Sequence, residues 1–308
     1  MRYLLTTLII LFFSHTAFAS KPNWTFAFYQ DGKNINIQST CNKAKDLKNG
    51  RVIIYQDSST YDCTSGKKSS KKLSIKDFFA QAKMNNDSWN YFYSLSSNKK
   101  LDSIELTKEL ANNRPGVLVV DSDEMGSISQ LWDMHNIAVK LIVFSTDAMQ
   151  QAIDLEAFIT NISGQNQTAD SLASNMIETI KAQNQKSKEP IAVFAIEAED
   201  KLQGYMQLFE GRAECFGKKV KRFDNIRAVT GTQTDLVTAL KVINRAVYKK
   251  FEPLMPYSYS SHKVFKGPTL YLPKDVETFK KTEAEFANTK MHKDYHNWLI
   301  FLDYLFQE

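Results

Sequence analysis

The chain is poor in the residues that interrupt or staple a fold. Eleven glycines and seven prolines in 308 residues, beside 43% hydrophobic and 24% charged residues, exclude a disordered chain and describe a globular one. No internal repeat and no low-complexity linker divides it. Past residue 20 no apolar run is long enough for a membrane helix, so no membrane insertion is expected. Histidine is scarce, five in all, and none falls between Thr16 and Met134. An excess of one charge is scarce too. The formal balance is +5, and Lys67-Lys68, Lys71-Lys72, Lys99-Lys100 and Lys218-Lys219 fall in separate loops or element edges. They give no basic face with interleaved aromatics, which argues against a nucleic-acid groove.

What is present begins with a leader. Arg2 supplies a positive start, Leu4 to Phe13 is an apolar core too short to span a bilayer, and Ala17-Phe18-Ala19 is an A-x-A cleavage site. Residues 1–19 are therefore expected to be a signal peptide. Ser20 rather than Cys follows the cut, so lipid anchoring is not expected, and the mature protein is placed in the periplasm or outside the cell. The length admits one large α/β domain or two modest ones. With no linker, residues 20–308 are read as one unit whose 150–308 portion is more helical.

Cys41, Cys63 and Cys215 are the three cysteines, and an odd count in an oxidising compartment implies one disulfide and one free thiol. Cys41 and Cys63 flank an expected strand and are the nearest pair, so they are expected to be bonded. That leaves Cys215 single, read first as a small buried apolar residue and only second as a nucleophile.

Apolar patterning predicts strands at Asn23–Tyr29, Val52–Tyr55, Trp89–Leu95, Val117–Val120 and Lys140–Phe144. Helices are expected between them, at Ile37–Leu47, Ser74–Ala82, Ser103–Leu110 and Ile128–Ile137, with Ser74 capping the second and Asp77 as its box-like partner. Strand–helix alternation of this kind predicts a mainly parallel sheet with helices on both faces. Thr60–Lys72 reads as a Ser/Lys-rich loop. Beyond residue 150, helices are expected at Asp154–Ile159, Ala169–Gln183, Lys201–Phe216, Thr234–Phe251 and Asp294–Phe306, and strands at Ile191–Ile196 and Pro268–Pro273. Pro253–Lys266 reads as an aromatic, polar loop.

The stretch Gly116-Val-Leu-Val-Val-Asp-Ser-Asp-Glu-Met-Gly126 stands out. An unbroken apolar run marks a strand buried on both faces, and in open α/β sheets function gathers outside the carboxyl ends of such strands. Asp121, Ser122, Asp123 and Glu124 are therefore candidate cleft residues.

Taken in order, these segments resemble the clostripain family of cysteine peptidases. The resemblance rests on Trp24-Thr25-Phe-Ala-Phe-Tyr29 with Asp31-Gly-Lys-Asn34, on Val52-Ile-Ile-Tyr-Gln-Asp57, and on Asp121, Met125 and Gly126 around the central turn. It extends to the helix at Ala169–Ile180, Val193-Phe-Ala-Ile196, Gly267–Pro273 and the Trp298 helix. It implies a caspase-like α/β fold and cysteine endopeptidase chemistry with no cofactor. It also implies where that chemistry fails. At the position of the family's nucleophilic Cys stands Asp123, and where its third strand ends in His-Gly this chain has Ser96 and Ser97. A carboxylate does not replace a thiolate in acyl transfer, because it is a weak nucleophile there and gives an unstable anhydride. The resemblance thus implies a catalytically inactive homologue whose former substrate cleft binds a protein or peptide.

Other readings compete with this one. Cys215, beside Glu214, pairs with one of His135, His262, His292 or His296 in an active cysteine peptidase with a displaced site, if the fold brings them together. The acids Asp121, Asp123 and Glu124 suit a divalent cation or a hydrolytic carboxylate pair, though as a plain surface loop they need neither, and no metal is expected. His292 and His296, at i and i+4, have no accompanying ligand cluster and read as surface residues. A third reading is an exported α/β binding protein unrelated to peptidases, which predicts a different strand order.

Overall fold

The computed structural model describes residues 24–48, 50–84, 90–123, 125–146, 149–197, 200–213 and 232–306. Strand β1, Trp24–Asp31, is central, with β2, Gly50–Gln56, on one side and β5, Asn90–Ser97, on the other. β6, Val117–Asp121, and β7, Lys140–Phe144, continue the sheet beyond β5, and all five of these strands run parallel. β8, Ala192–Glu197, and β10, Tyr257–Ser260, add antiparallel at that end. At the far side β3, Ser59–Asp62, and β4, Lys67–Ser70, add as an antiparallel hairpin. The nine-stranded order is β10-β8-β7-β6-β5-β1-β2-β3-β4.

Two cores follow from the alternation of side chains along each strand. Trp24, Phe26 and Phe28 face one way, with Val117 and Val119, onto helices α1 (Ile37–Ala44), α5 (Leu155–Ile162) and α6 (Ala169–Ser187). Phe158 of α5 packs within 5.0 Å of the Phe92 ring, and burying such a ring contributes about 1.5–3 kcal/mol. Ala27, Tyr29, Leu118 and Val120 face the other way, onto α2 (Ile75–Lys83), α3 (Ser103–Leu110) and α4 (Ile128–Asp133). The second core continues into α7 (Asp200–Ala213) and the carboxyl-terminal helices. Among the described residues no helix is long and apolar enough to cross a membrane.

Local chemistry starts most helices where the sequence indicates. Ser74 accepts from the Asp77 N–H at 3.1 Å and donates to the Asp77 carboxylate at 2.9 Å. Thr168 and Ser171 form a reciprocal capping box at the start of α6.

Several expectations are corrected. Thr60–Lys72 is not a loop: it holds most of the β3–β4 hairpin, whose second strand is exposed throughout and so lacks the alternation that reveals a strand. Thr234–Phe251 is not one helix. It divides into β9 (Gln233–Asp235), α8 (Leu236–Ile243) and α9 (Arg245–Phe251). Asn244, extended at φ −154°, ends one helix and caps the next by accepting from the Ala246 and Val247 N–H groups. Pro253–Lys266 contains strand β10. β11, Thr269–Tyr271, pairs with β9 in a small second sheet. α10, Val276–Ala287, follows. The terminal helix begins late: α11 is Lys290–Asp294 and α12 is Asn297–Phe306, separated by the extended Tyr295. The helix expected over Ile128–Ile137 stops at Asp133. Cys41 and Cys63 form a disulfide that ties α1 to the end of β3. Cys215 lies outside the described residues.

Candidate functional site at the carboxyl ends of β5 and β6

Register places Ser96 of β5 beside Asp121 of β6, and beside Gln30 of β1 on its other flank. The Ser96 hydroxyl donates to Asp121 Oδ2, and both residues are fully buried. Asp121 Oδ1 accepts the Met149 N–H at 2.8 Å, while the buried Lys33 Nζ donates to the Met149 carbonyl. Burial pushes the Asp121 carboxyl up to about 6, against the pull of the Ser96 hydroxyl, the Met149 N–H and the Lys33 ammonium; the Glu189 carboxylate adds to the rise. This chain of bonds joins the ends of β5 and β6 to the loops after β1 and β7.

The next residues are also tied down. Ser122 Oγ accepts the Leu101 N–H at 2.9 Å and donates to the Lys99 carbonyl at 3.0 Å. Ser97 Oγ accepts the Lys99 N–H at 3.0 Å. Asp123 is half-buried at the turn, and Glu124 lies outside the described residues. Met125 is buried, and Gly126 passes so close to β7 that a Cβ there would stand 2.3 Å from the Phe144 carbonyl oxygen. The Gly126 carbonyl accepts the Thr269 N–H at 3.0 Å, which attaches the turn to β11, and Ser127 caps α4.

A cleft of about 720 Å³ opens immediately past this turn. Its wall is rich in neutral hydrogen-bonding groups, among them Ser127, Ser129, Gln130, Thr146, Gln150 and Gln233. Its charged members include Lys100, Glu189 and Glu285. Of the residues expected in a cleft, Asp121 and Ser122 instead lie beneath it, committed to holding loops together. Sequence reasoning did not find the actual lining, because it comes from separate connections after β6, β7 and α6, around β9 and β11, and from α10. No local spacing links these residues.

Among the described residues the imidazole lining this cleft is His262. Its Nδ1 accepts the Val264 and Phe265 N–H groups, each at 3.1 Å, which fixes the neutral ring with its proton on Nε2. Burial, and then the Lys266 ammonium, push its pKa down. His262 therefore offers a hydrogen-bond donor and not a free base. His135 stacks on Trp132 with its Nδ1 against the Trp132 carbonyl at 2.6 Å, while His292 belongs to α11 and His296 follows that helix's end. Among the described residues no group of three or more His, Cys, Asp or Glu side chains is placed to hold a metal ion.

No protein family matches the chain by sequence, and no curated protein matches it either. Solved structures do. An inactive zymogen C11 protease from Parabacteroides distasonis has a TM-score of 0.66 over 90% of this chain and 99% of that one, at 11% identity. A secreted C11 cysteine protease from Bacteroides thetaiotaomicron, "iotapain", also gives 0.66 at 11% identity, over 90% of this chain and 100% of that one. A secreted C11 cysteine protease from that species in complex with an irreversible peptide inhibitor gives 0.58 at 12% identity, over 93% of this chain and 99% of the other. At such identities the likeness is one of fold. The mixed, mostly parallel sheet flanked by helices is thus the caspase-like fold of the clostripain-like cysteine proteases.

Proposed function

We propose that this is an exported, catalytically silent protein on a clostripain-type scaffold, which holds an extended peptide segment in the cleft beside the Asp121–Gly126 turn. The observation that carries the reading is the buried Ser96–Asp121 pair. The strand end where the family resemblance calls for a base instead donates a hydroxyl to a neighbouring carboxylate. Asp123, at the expected nucleophile position, brings a carboxylate that cannot sustain acyl transfer. His262 turns a protonated nitrogen to its surroundings. What remains suits binding: neutral amides and hydroxyls that pair with a peptide backbone without demanding a charged ligand. One structural neighbour is in complex with an irreversible peptide inhibitor, which supports a peptide as the occupant. Export rests on the leader pattern ending at Ala19.

The test is incubation of the purified mature protein, and of a Cys215→Ala variant, with a mixed peptide library read by mass spectrometry. Neither is expected to cleave. Retained peptides should bind the wild type and be lost from Ser129→Trp, which fills the cleft. Cleavage by wild type and not by Cys215→Ala would make Cys215 a nucleophile and overturn the reading.

A further inference from the structure

The two edges of the nine-stranded sheet are finished differently. At one edge β4 is exposed along its whole length and begins with Lys67 and Lys68. Lysines on an edge strand are a standard barrier to pairing with another chain, since a second strand would have to bury or displace them. At the other edge β10 reads Tyr257-Ser-Tyr-Ser260, with no charged residue and no proline inside it.

The free side of β10 can be assigned from its pairing with β8. The Ser261 N–H donates to the Ile191 carbonyl at 2.9 Å, continuing the register in which Tyr259 faces Val193 and Tyr257 faces Ala195. The Ala192 carbonyl is turned the other way, accepting the Ser145 N–H at 2.9 Å. Bonded and non-bonded pairs alternate in an antiparallel ladder. The main chains of Tyr257 and Tyr259 therefore face β8, and those of Ser258 and Ser260 face off the sheet. Ser258 is exposed, and among the described residues no further strand lies beyond β10.

Beside this edge lies a notch of about 550 Å³, separate from the cleft but sharing Pro190 and His262 as a wall. Lys188 and Lys263 line it, both exposed, and no carboxylate side chain does. The adjacent Glu189 faces the cleft instead, its Oε1 accepting the Gln150 N–H at 2.7 Å. Lys188 ends α6 at φ +57°, a conformation that glycine adopts more readily. The edge itself is held firmly: the Tyr259 hydroxyl donates to the buried Asn184 Oδ1 at 2.8 Å.

We infer that β10 is a docking edge for an extended acidic segment of a partner polypeptide. The segment adds as a further strand through the outward main chains of Ser258 and Ser260, and places an acidic side chain between Lys188 and Lys263. Main-chain pairing supplies the affinity of such strand addition, and the side-chain notch supplies the selectivity. The inference is independent of what occupies the cleft.

The test uses the full mature protein and a fluorescein-labelled eight-residue peptide alternating Glu with Val or Thr, beside a twin with Gln in place of each Glu. Fluorescence anisotropy should show saturable binding of the Glu peptide, at least about tenfold tighter than the twin and weakening as salt rises. Lys188→Glu with Lys263→Glu should weaken it by at least about tenfold. Ser258→Pro should do the same with an unchanged melting temperature, because the N–H it removes does not bond β8. Ser129→Trp should leave the binding intact, which separates this edge from the cleft. Absence of saturable binding, indifference to the charge reversals, or indifference to Ser258→Pro would each overturn the inference. So would a concentration-dependent dimer in sedimentation that Ser258→Pro dissolves, since a second copy would then own the edge.

Discussion

Ser96 and Asp121 stand opposite each other on adjacent parallel strands, and the Ser96 hydroxyl donates to the Asp121 carboxylate in the fully buried interior. The pair ties the ends of β5 and β6 together and, through the Met149 N–H, to the loop after β7. Its energetics are open to measurement through pH.

Asp121 has its carboxyl raised by burial to about 6 from an ordinary 3.8. A folded-state pKa above the unfolded one means the stabilisation is complete below about pH 3.8 and is lost as pH rises through about 6. Asp121→Asn keeps an acceptor for the Met149 N–H but does not titrate. Chemical denaturation from pH 4 to pH 7 should show wild type losing about 2 kcal/mol relative to that variant. Ser96→Ala removes a hydrogen bond that pulls the pKa down, so its transition should lie higher in pH than that of wild type. A pH-independent difference between wild type and Asp121→Asn would refute the assignment.

Glu210 of α7 poses the same question elsewhere. It is buried, its Oε2 accepts the Trp298 N–H at 3.2 Å at the start of α12, and burial raises its pKa to about 7 from 4.5. The stabilisation is complete below about pH 4.5 and disappears as pH passes about 7. Glu210→Gln should therefore be more stable than wild type at pH 8, by about 2–3 kcal/mol, and lose that advantage at pH 4.5. Thermal denaturation at the two pH values distinguishes this from a simple capping loss, which would destabilise at both.

Gly126→Ala tests the approach of the central turn to β7. The new Cβ would meet the Phe144 carbonyl oxygen at 2.3 Å and the Ser145 Cα at 2.7 Å, main-chain atoms that cannot rotate aside. A loss of about 3 kcal/mol in urea denaturation is expected, with weaker peptide binding in the cleft. An unchanged midpoint would show that the turn relaxes freely.

Replacing Cys41 and Cys63 by Ser opens a cross-link between residues 22 apart in sequence. The chain-entropy argument gives a loss of about 3 kcal/mol. The same loss should follow reduction of the wild type, and a reductant without effect on stability would show that the bridge constrains little.

How much of this was readable in advance depends on where each residue's partners lie. Val117–Val120 announced a doubly buried strand because its neighbours on both faces demand apolar side chains. Ser74 announced a helix start because its partner, Asp77, is three residues away. β4 and β10 were hidden because both are short edge strands. β4 is exposed throughout, so Lys-Lys-Ser-Ser has no buried stripe and no apolar alternation, whereas Tyr-Ser-Tyr-Ser does alternate but over only four residues, with Tyr257 and Tyr259 only partly buried. α10 buries only Phe279 and Phe286 and shows little periodicity. The expectation of a missing dyad comes from the resemblance alone, residue by residue. The bond that closes Ser96 onto Asp121, and the cleft's composite lining, needed the register of strands 25 residues apart and loops from across the chain.

The proposed silence of the site predicts how it resists repair. Asp123→Cys, made in a Cys215→Ala background so that no other free thiol confuses the result, restores a sulfur at the expected nucleophile position. It restores no base: Ser96 is committed to Asp121, and His262 Nδ1 is occupied by two N–H donors. A thiol without an adjacent imidazole titrates near its ordinary value of about 8.5 and stays protonated at neutral pH. The variant should therefore be alkylated by iodoacetamide with a midpoint at about pH 8.5, and should cleave no peptide in the library. An alkylation midpoint below about pH 7, or any turnover, would mean that a base stands within reach of residue 123. The scaffold would then be one substitution from activity, and its description as catalytically silent would belong to Asp123 alone.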